Sequence, residues 1–455
     1  MKQLTILLFS LFSTLSIASI EPPKNIIMII ADGMGPNFVP SYRYYKKNKQ
    51  QDIQPTVFDR HFTGSVSTYP DESSGFVTDS AASATALASG IKTYNAAIGV
   101  DINKLAVQSV LEFAKIQGKN TGIVVTSEIN HATPASYISH IENRNLKNDI
   151  ADSYFDEKIN GEFKVDVMFG GGRQYFIRSD RNLINEFREN NYQYIDNYSQ
   201  LKTLKNNQKV IGLFADKGLP SHIDDTEKYR LTQMTKSAVE HLSQGINNNN
   251  GFFLLIEASQ IDWAAHNNDI VVAMHEMAEL ENTLLFLEQY SQNTPDTLII
   301  LTADHDTGGL SIGKDKKYVW RPEVLQNIKK SPTSMAHHLY EHDINAAYLN
   351  ATLGFNLTNA ELQRLIKTKK DLLNQSEYSA DYENNVLIIK HQLIVALEKI
   401  LRDIINNRSH TGWTTAGHTG ADVPIYVLGK GKELFLGFQN NIDIAKNIFK
   451  LLSKK

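Results

Sequence analysis

The chain has 455 residues, 42% of them hydrophobic, and a formal net charge of −4 from 46 basic and 50 acidic side chains. That length supports a large core in one big domain or two smaller ones, and the mixed charge offers no basic footprint for nucleic acid. Cysteine is absent, which excludes disulfides, thiolate metal sites and a cysteine nucleophile and leaves His and carboxylates as the available metal ligands.

The N-terminus reads "MKQLTILLFSLFSTLSIASI": Lys2, an apolar run from Leu4 to Leu15, then Ser16, Ala18 and Ser19. This is the pattern of a secretory signal peptide over residues 1–18, cleaved after Ala18. The run is too short and too interrupted by Ser and Thr for a membrane anchor, and no later segment reaches spanning length. The expectation is an exported protein, periplasmic or secreted.

Five short apolar runs follow without polar alternation, as strands buried on both faces read. "NIIMII" (25–30) leads into "ADGMG" with Asp32. Next comes "DESSGFVTDSAASATALASG" (71–90), in which Asp79-Ser80 opens a stretch of Ala, Ser and Thr. Either this is a closely packed helix, or Ser80 is a nucleophile at a helix N-terminus, where backbone N–H groups favour an anion. Leu105, Val110, Leu111 and Ala114 suggest a helix ending before Gly118. "TGIVVT" (121–126) runs into "SEINHATPA" with His131 and Thr133, and "GFFLLIE" (251–257) ends on Glu257 and reaches Asp262 and His266. Ile270, Met274, Met277, Leu284 and Leu287 keep helical spacing before "TLIILT" (297–302), which runs into "ADHDTGG" with Asp304 and His305.

Residues 309–410 break this alternation. They hold no strong buried strand, but a capping box at Thr358 and Glu361 starts one helix and "NNVLIIKHQLIVALEKILRDIINN" reads as another, amphipathic one. The segment reads as an insertion on the core, and its histidines (His337, His338, His342, His391, His410) as solvated rather than ligating. "TTAGHTG" then places His418 just before "PIYVLG" (424–429). Strands alternating with helices imply a three-layer α/β/α fold with a large, mostly parallel central sheet.

In such folds ligands bind at the strand ends. Asp262 and His266 share a helix face at i, i+4, and His with carboxylate suits zinc. Asp32, Glu257 and the Thr133 hydroxyl form an oxygen-only set suited to magnesium. Three metals fit this set better than one, and two zinc-type ions a few ångströms apart suit phosphoryl transfer. A serine needs a base or a metal to attack at neutral pH, so the metal set favours Ser80 as nucleophile.

"ADGMG", "TDSAASATA", "HATPA", "EASQIDWAAH", "ADHDTGG" and "WTTAGHTG", in this order, resemble the alkaline phosphatase family; "VDVMFGGGRQYF" (165–176) also looks familial. The resemblance implies an exported phosphate-monoester hydrolase that takes phosphomonoesters, is inhibited by inorganic phosphate, passes through a phosphoserine and forms a homodimer. It assigns Ser80 as the phosphorylated serine beside the second zinc. It gives Asp262, His266 and His418 to the first zinc, and Asp32, Asp304 and His305 to the second. Asp32 also bridges to a magnesium held with Thr133 and Glu257, and Arg144 clamps phosphate. His131 and Trp263 stand where the best-known enterobacterial form has Asp and Lys, so a carboxylate is missing behind the third site and a borderline metal can compete there. Other members carry a crown or lid over the interval matching 309–410. The rival readings are a related phosphodiesterase or sulfatase, which Ser80 rather than Thr, the absence of Cys and the presence of Arg144 disfavour, and a non-catalytic phosphate- or metal-binding protein.

Overall fold

The computed structural model describes residues 21–47, 52–205, 208–244, 250–376 and 382–453. The expected signal peptide, residues 1–18, lies outside the described residues. A ten-stranded sheet forms the centre. In chain order its strands are β1 (Asn25–Ile30), β2 (Phe62–Ser67), β3 (Asn120–Glu128), β4 (Val167–Gly171), β5 (Tyr192–Ile195), β6 (Lys209–Leu213), β7 (Phe252–Glu257), β8 (Thr297–Thr302), β9 (Val423–Gly429) and β10 (Gly437–Asn440). Across the sheet they run β10-β2-β9-β8-β1-β7-β3-β4-β6-β5.

The apolar runs pair with one another at the centre. β1 lies between β8 and β7, parallel to both, with Ile27 opposite Ile299 and Leu254. Every residue of β1, β3, β7 and β8 is buried. Successive strand side chains point to opposite faces, so continuous burial requires cover on both sides. Two groups of helices supply it: Arg230–Gln244 packs with Ile270–Asn293, and Asn441–Leu452 packs with Ser80–Ser89 and Val110–Ile116.

Nine strands share one direction, and β9 opposes both of its neighbours, β8 and β2. His418 therefore precedes its strand yet reaches the edge at which the parallel strands end. The chain enters β9 from the site side, so the amino end of β9 does what the carboxyl ends of β1, β3, β7 and β8 do.

One expected helix is shorter than its apolar spacing implied. Leu105 is exposed, and the helix begins only at Val110. Ser109 caps it: its Oγ accepts from Glu112 N at 3.1 Å, and its own N–H donates to Glu112 Oε2 at 2.9 Å. This reciprocal capping sets the start more firmly than periodicity does.

Among the described residues, 309–410 carry four longer helices, Pro332–Glu341, Ala346–Leu353, Asn359–Ser376 and Tyr382–Ser409. The Thr358–Glu361 capping box forms, with Thr358 N donating to Glu361 Oε2 at 2.7 Å. The segment buries apolar residues of its own, including Leu339, Leu365, Leu393, Leu397 and Leu401. Its two ends meet in a small antiparallel pair, Ser311 opposite Gly412 and Ile312 opposite Thr411. His338 stacks on Tyr348 with ring centroids 3.8 Å apart. Among the described residues, none of the segment's histidines joins a three-ligand cluster.

Candidate active site

Ser80 is the first residue of the helix Ser80–Ser89. Asp79 is its N-cap, with Oδ1 accepting from Ala82 N at 3.0 Å. Gly90 ends it in the left-handed region at φ 74°, a conformation that costs glycine little. The alanine-rich body is buried through Ala88, so the small side chains let this helix pack closely against Asn441–Leu452 and Ala132–Ala135. The closely packed helix, one of the two alternatives posed from sequence, is present.

Ser80 is 2% exposed, and its Oγ lies 3.1 Å from His305 Nε2. That nitrogen also faces Asp304 Oδ2 at 3.2 Å and Asp32 Oδ1 at 3.5 Å. Asp32, Asp304 and His305 thus converge, as do Asp262, His266 and His418, each set with its ligand atoms within 4.8 Å. In the second set His266 Nε2 is 3.3 Å from Asp262 Oδ2 and 3.1 Å from His418 Nε2. The rings of His305 and His418 stack at 3.6 Å, which places the two sets side by side. Gly33 allows this closeness: a Cβ there would come within 2.7 Å of Asp262 Cα, while Gly33 N–H donates to Asp304 Oδ1 at 3.1 Å.

A third set joins Asp32 and Glu257 to His131. The sequence reading put His131 near this site, and the fold sets it directly before the short helix Ala132–Ala135, with a ring nitrogen within 4.8 Å of Asp32 and Glu257 oxygens. Thr133 is wholly buried. Trp263 does not enter the set, and its ring meets that of His131 edge-on at 6.0 Å. Arg144 is part-buried: Nη1 donates to Asp79 Oδ2 at 3.0 Å, and Nη2 lies 3.4 Å from His131 Nε2. It therefore stands beside the N-terminus that Ser80 opens.

The electrostatics call for cations. Asp32, Glu257, Asp262 and Asp304 are all buried. Asp32 is raised well above its ordinary value, first by burial and then by the charges of Asp304, Asp262 and Glu257. Both Asp32 oxygens, Glu257 Oε1, Asp304 Oδ2 and the Thr133 hydroxyl lack hydrogen-bond partners among the described residues. Burial pushes His418 down to about 4 and His131 well below its usual range, so both rings are neutral at physiological pH. Neutral imidazoles and crowded, unsatisfied carboxylates are a donor set for divalent metal ions.

This arrangement predicts how metal-free protein responds to pH. Burial pushes Glu257 from 4.5 to about 7. Between those values the folded form keeps a proton that the unfolded chain gives up, so this group's contribution to stability falls as pH rises. Chelator-treated protein should melt at lower temperature at pH 7 than at pH 5, and Glu257→Gln should flatten that slope. An unchanged slope in the variant would rule out this origin.

Three of the clustered histidines have their outward nitrogens held. His266 Nδ1 lies 2.6 Å from Ala416 O, and His418 Nδ1 lies 2.7 Å from Thr78 O. A carbonyl only accepts, so each Nδ1 carries a hydrogen, and in the neutral ring that frees Nε2 to bind a metal ion. His305 Nδ1 instead meets the Thr307 hydroxyl at 3.1 Å. Sequence reasoning passed over Thr78 and Thr307, although Thr307 lies inside the quoted "ADHDTGG". Spacing marks ligand types but not the groups that orient them.

The same edge resembles known proteins. The family model "Alkaline phosphatase" matches residues 23–454. The chain belongs to the alkaline phosphatase family. Alkaline phosphatase 3 of Bacillus subtilis (strain 168) is 44% identical over 431 residues, covering 94% of this chain and 89% of the relative. The crystal structure of a cold-active alkaline phosphatase from a psychrophilic Shewanella superposes with TM-score 0.85 at 42% identity, over 94% of this chain and all of that one. A His-to-Glu mutant of the alkaline phosphatase from the Antarctic bacterium TAB5, with magnesium bound in its M3 site, superposes at 0.68 with 26% identity, over 96% of this chain and 99% of that one. The alkaline phosphatase fold and the activity follow from this membership: the protein hydrolyses phosphate monoesters, in a family that depends on metal ions. Among the described residues no helix is long and apolar enough to cross a membrane.

Proposed function

We propose that this alkaline phosphatase works through a phosphoserine at Ser80, with zinc ions held by Asp262, His266 and His418 and by Asp32, Asp304 and His305. Asp32, Glu257 and Thr133 hold a third, magnesium-type ion, with His131 at its edge. The observation that carries this reading is the 3.1 Å approach of Ser80 Oγ to His305 Nε2 within the Asp32–Asp304–His305 set. When bound, the metals supply Lewis-acid stabilisation of the charge on phosphoryl, nucleophile and leaving oxygen.

The chain's own residues do the rest. Ser80 is pre-positioned, because the N-cap Asp79 fixes where its helix starts. Its Oγ–phosphorus bond forms as the ester oxygen departs in line, and water then displaces Ser80 and releases inorganic phosphate. The helix N–H groups and the Arg144 guanidinium face the phosphate oxygens, with Arg144 aimed by its pair with Asp79. Half-buried His266 marks the outer side, next to a cavity of about 480 Å³ walled by Lys314, Lys399, Arg402, Asn406 and Trp413. Residues 309–410 therefore act as a crown or lid that shapes access for the leaving group and, among the described residues, supplies no ligand to a three-residue cluster.

The third site departs from an all-oxygen set through His131. Imidazole suits borderline metals, so magnesium competes there with zinc-like ions. The TAB5 His-to-Glu mutant has magnesium bound in its M3 site, consistent with that view. The signal-peptide pattern supports export to the periplasm or medium, and the family resemblance supports a homodimer.

Brief exposure to labelled substrate followed by acid quench should leave phosphate on Ser80, and metal analysis should find two zinc ions per chain. Label on another residue contradicts the reading. For Arg144, Arg144→Ala should raise the inhibition constant for inorganic phosphate by on the order of 10-fold or more while leaving zinc content unchanged, as expected for loss of a bidentate charged contact. An unchanged inhibition constant would make Arg144 a bystander.

A further inference from the structure

We propose that Thr307 is a positioning residue that ties the two zinc sites together, so that they fill and empty as a unit. This coupling rests on the two-zinc reading proposed above and deepens it. Thr307 is wholly buried and bridges a ligand of one set to a ligand of the other. Its Oγ1–H donates to Asp262 Oδ1 at 2.6 Å. Its oxygen lies 3.1 Å from His305 Nδ1.

The direction of each bond follows from what the groups can do. A hydroxyl has a single hydrogen, and an ionised carboxylate only accepts. The shorter contact, to Asp262, therefore takes that hydrogen. What remains for His305 is a lone pair, so His305 must donate from Nδ1. In the neutral ring this leaves Nε2, which faces Asp32, Asp304 and Ser80, without a hydrogen and open to a metal ion. His266 and His418 are oriented by backbone carbonyls, which belong to neither set. Of the three, His305 alone is oriented by a side chain that is itself bonded to a ligand of the other set.

A chain of hydrogen bonds polarises along its length. A cation held by His305 Nε2 would draw electrons from the ring and strengthen Nδ1–H as a donor to Thr307. Thr307 then donates more strongly to Asp262 and holds that carboxylate in its ligating position. The effect runs equally in reverse, because coupling between two sites is reciprocal. Position in the backbone reinforces this: Thr307 lies opposite His418, a ligand of the first set, in the antiparallel pair formed by Asp306–Thr307 and His418–Thr419.

The test uses the zinc-loaded, full-length protein and follows zinc release into a chromophoric chelator. The wild type should lose both ions in one concerted phase. Thr307→Val removes the hydroxyl and keeps the shape; it should release them in two resolved phases, the faster at least about 10-fold quicker than wild type, as outer hydrogen-bond partners of metal ligands affect affinity by that order. Thr307→Ser keeps the hydroxyl and should restore the single phase. Cobalt substitution reads the same coupling in absorption spectra: partial loading should show a mixture of empty and doubly filled wild type, and singly filled Thr307→Val.

Two resolved phases in the wild type, or a single unchanged phase in Thr307→Val, would overturn the coupling. So would Thr307→Ser behaving like Thr307→Val. Should Thr307→Val fail to fold, the wild-type release curve and the Thr307→Ser variant still decide the matter. A wild type that binds no zinc but still hydrolyses monoesters would instead defeat the two-zinc reading, and with it this inference.

Discussion

Ser80→Ala yields an enzyme that no longer traps phosphate and whose kcat falls by on the order of 10³-fold or more, the scale seen when a covalent nucleophile is removed from an otherwise intact site. The fold should tolerate the change. Ser80 sits at the start of a helix whose cap is Asp79, not Ser80 itself, and the next residues are already alanines. The substitution removes only the Oγ that approaches His305. Zinc content should stay at the wild-type level, because neither three-ligand set includes Ser80. Some hydrolysis should persist, since Arg144, the helix N-terminus and the metals still bind and polarise the ester. The readouts are acid-quench phosphate trapping, kcat on an aryl phosphate and metal analysis on one preparation. Retained trapping would move the nucleophile elsewhere.

His418→Ala should be nearly as damaging by a different route. Its Nε2 lies 3.1 Å from His266 Nε2, and its ring stacks on His305 at 3.6 Å. Alanine deletes a ligand of the first set and the face that positions a ligand of the second. Zinc should drop by about one ion per chain, and kcat/KM by at least about 100-fold, because even indirect partners of metal ligands affect affinity or activity by about 10–100-fold. The Nδ1 contact to Thr78 O adds a second consequence. Thr78 lies two residues before Ser80, so the His418 ring also steadies the segment that presents Ser80. Excess zinc should restore activity only in part. Full metal content with full activity in His418→Ala would remove His418 from the site.

Much of this was legible in the sequence because its signals are local. Continuous apolar runs such as "NIIMII" and "TLIILT" identify strands buried on both faces, whatever lies around them. Ligand-type residues directly after such runs must emerge at one edge when the strands are parallel. The Thr358–Glu361 box starts a helix through contacts three residues apart, and "DSAASATALASG" carries its own cap and its own glycine stop. Fold class, Ser80 and the ligand-type residues needed no long-range information. The overreach at Leu105 was local too: apolar spacing outran the capping box at Ser109 and Glu112.

Tertiary structure alone decided the rest, because the deciding contacts join residues far apart in the chain. Nothing local says that β9 runs against its neighbours, so only the sheet shows why His418 reaches the same edge from the amino side of its strand. How near His131 comes to Asp32 and Glu257 is set by where β3 and β7 place Glu257 against the short helix Ala132–Ala135. Thr307 reads as one more small residue in a glycine-rich loop until Asp262, 45 positions earlier, is found 2.6 Å from its hydroxyl. Sequence settles which groups can bind metal, since that is a matter of donor chemistry. Their grouping, tautomers and mutual support depend on distances of a few ångströms, and only the packed sheet and its helices set those.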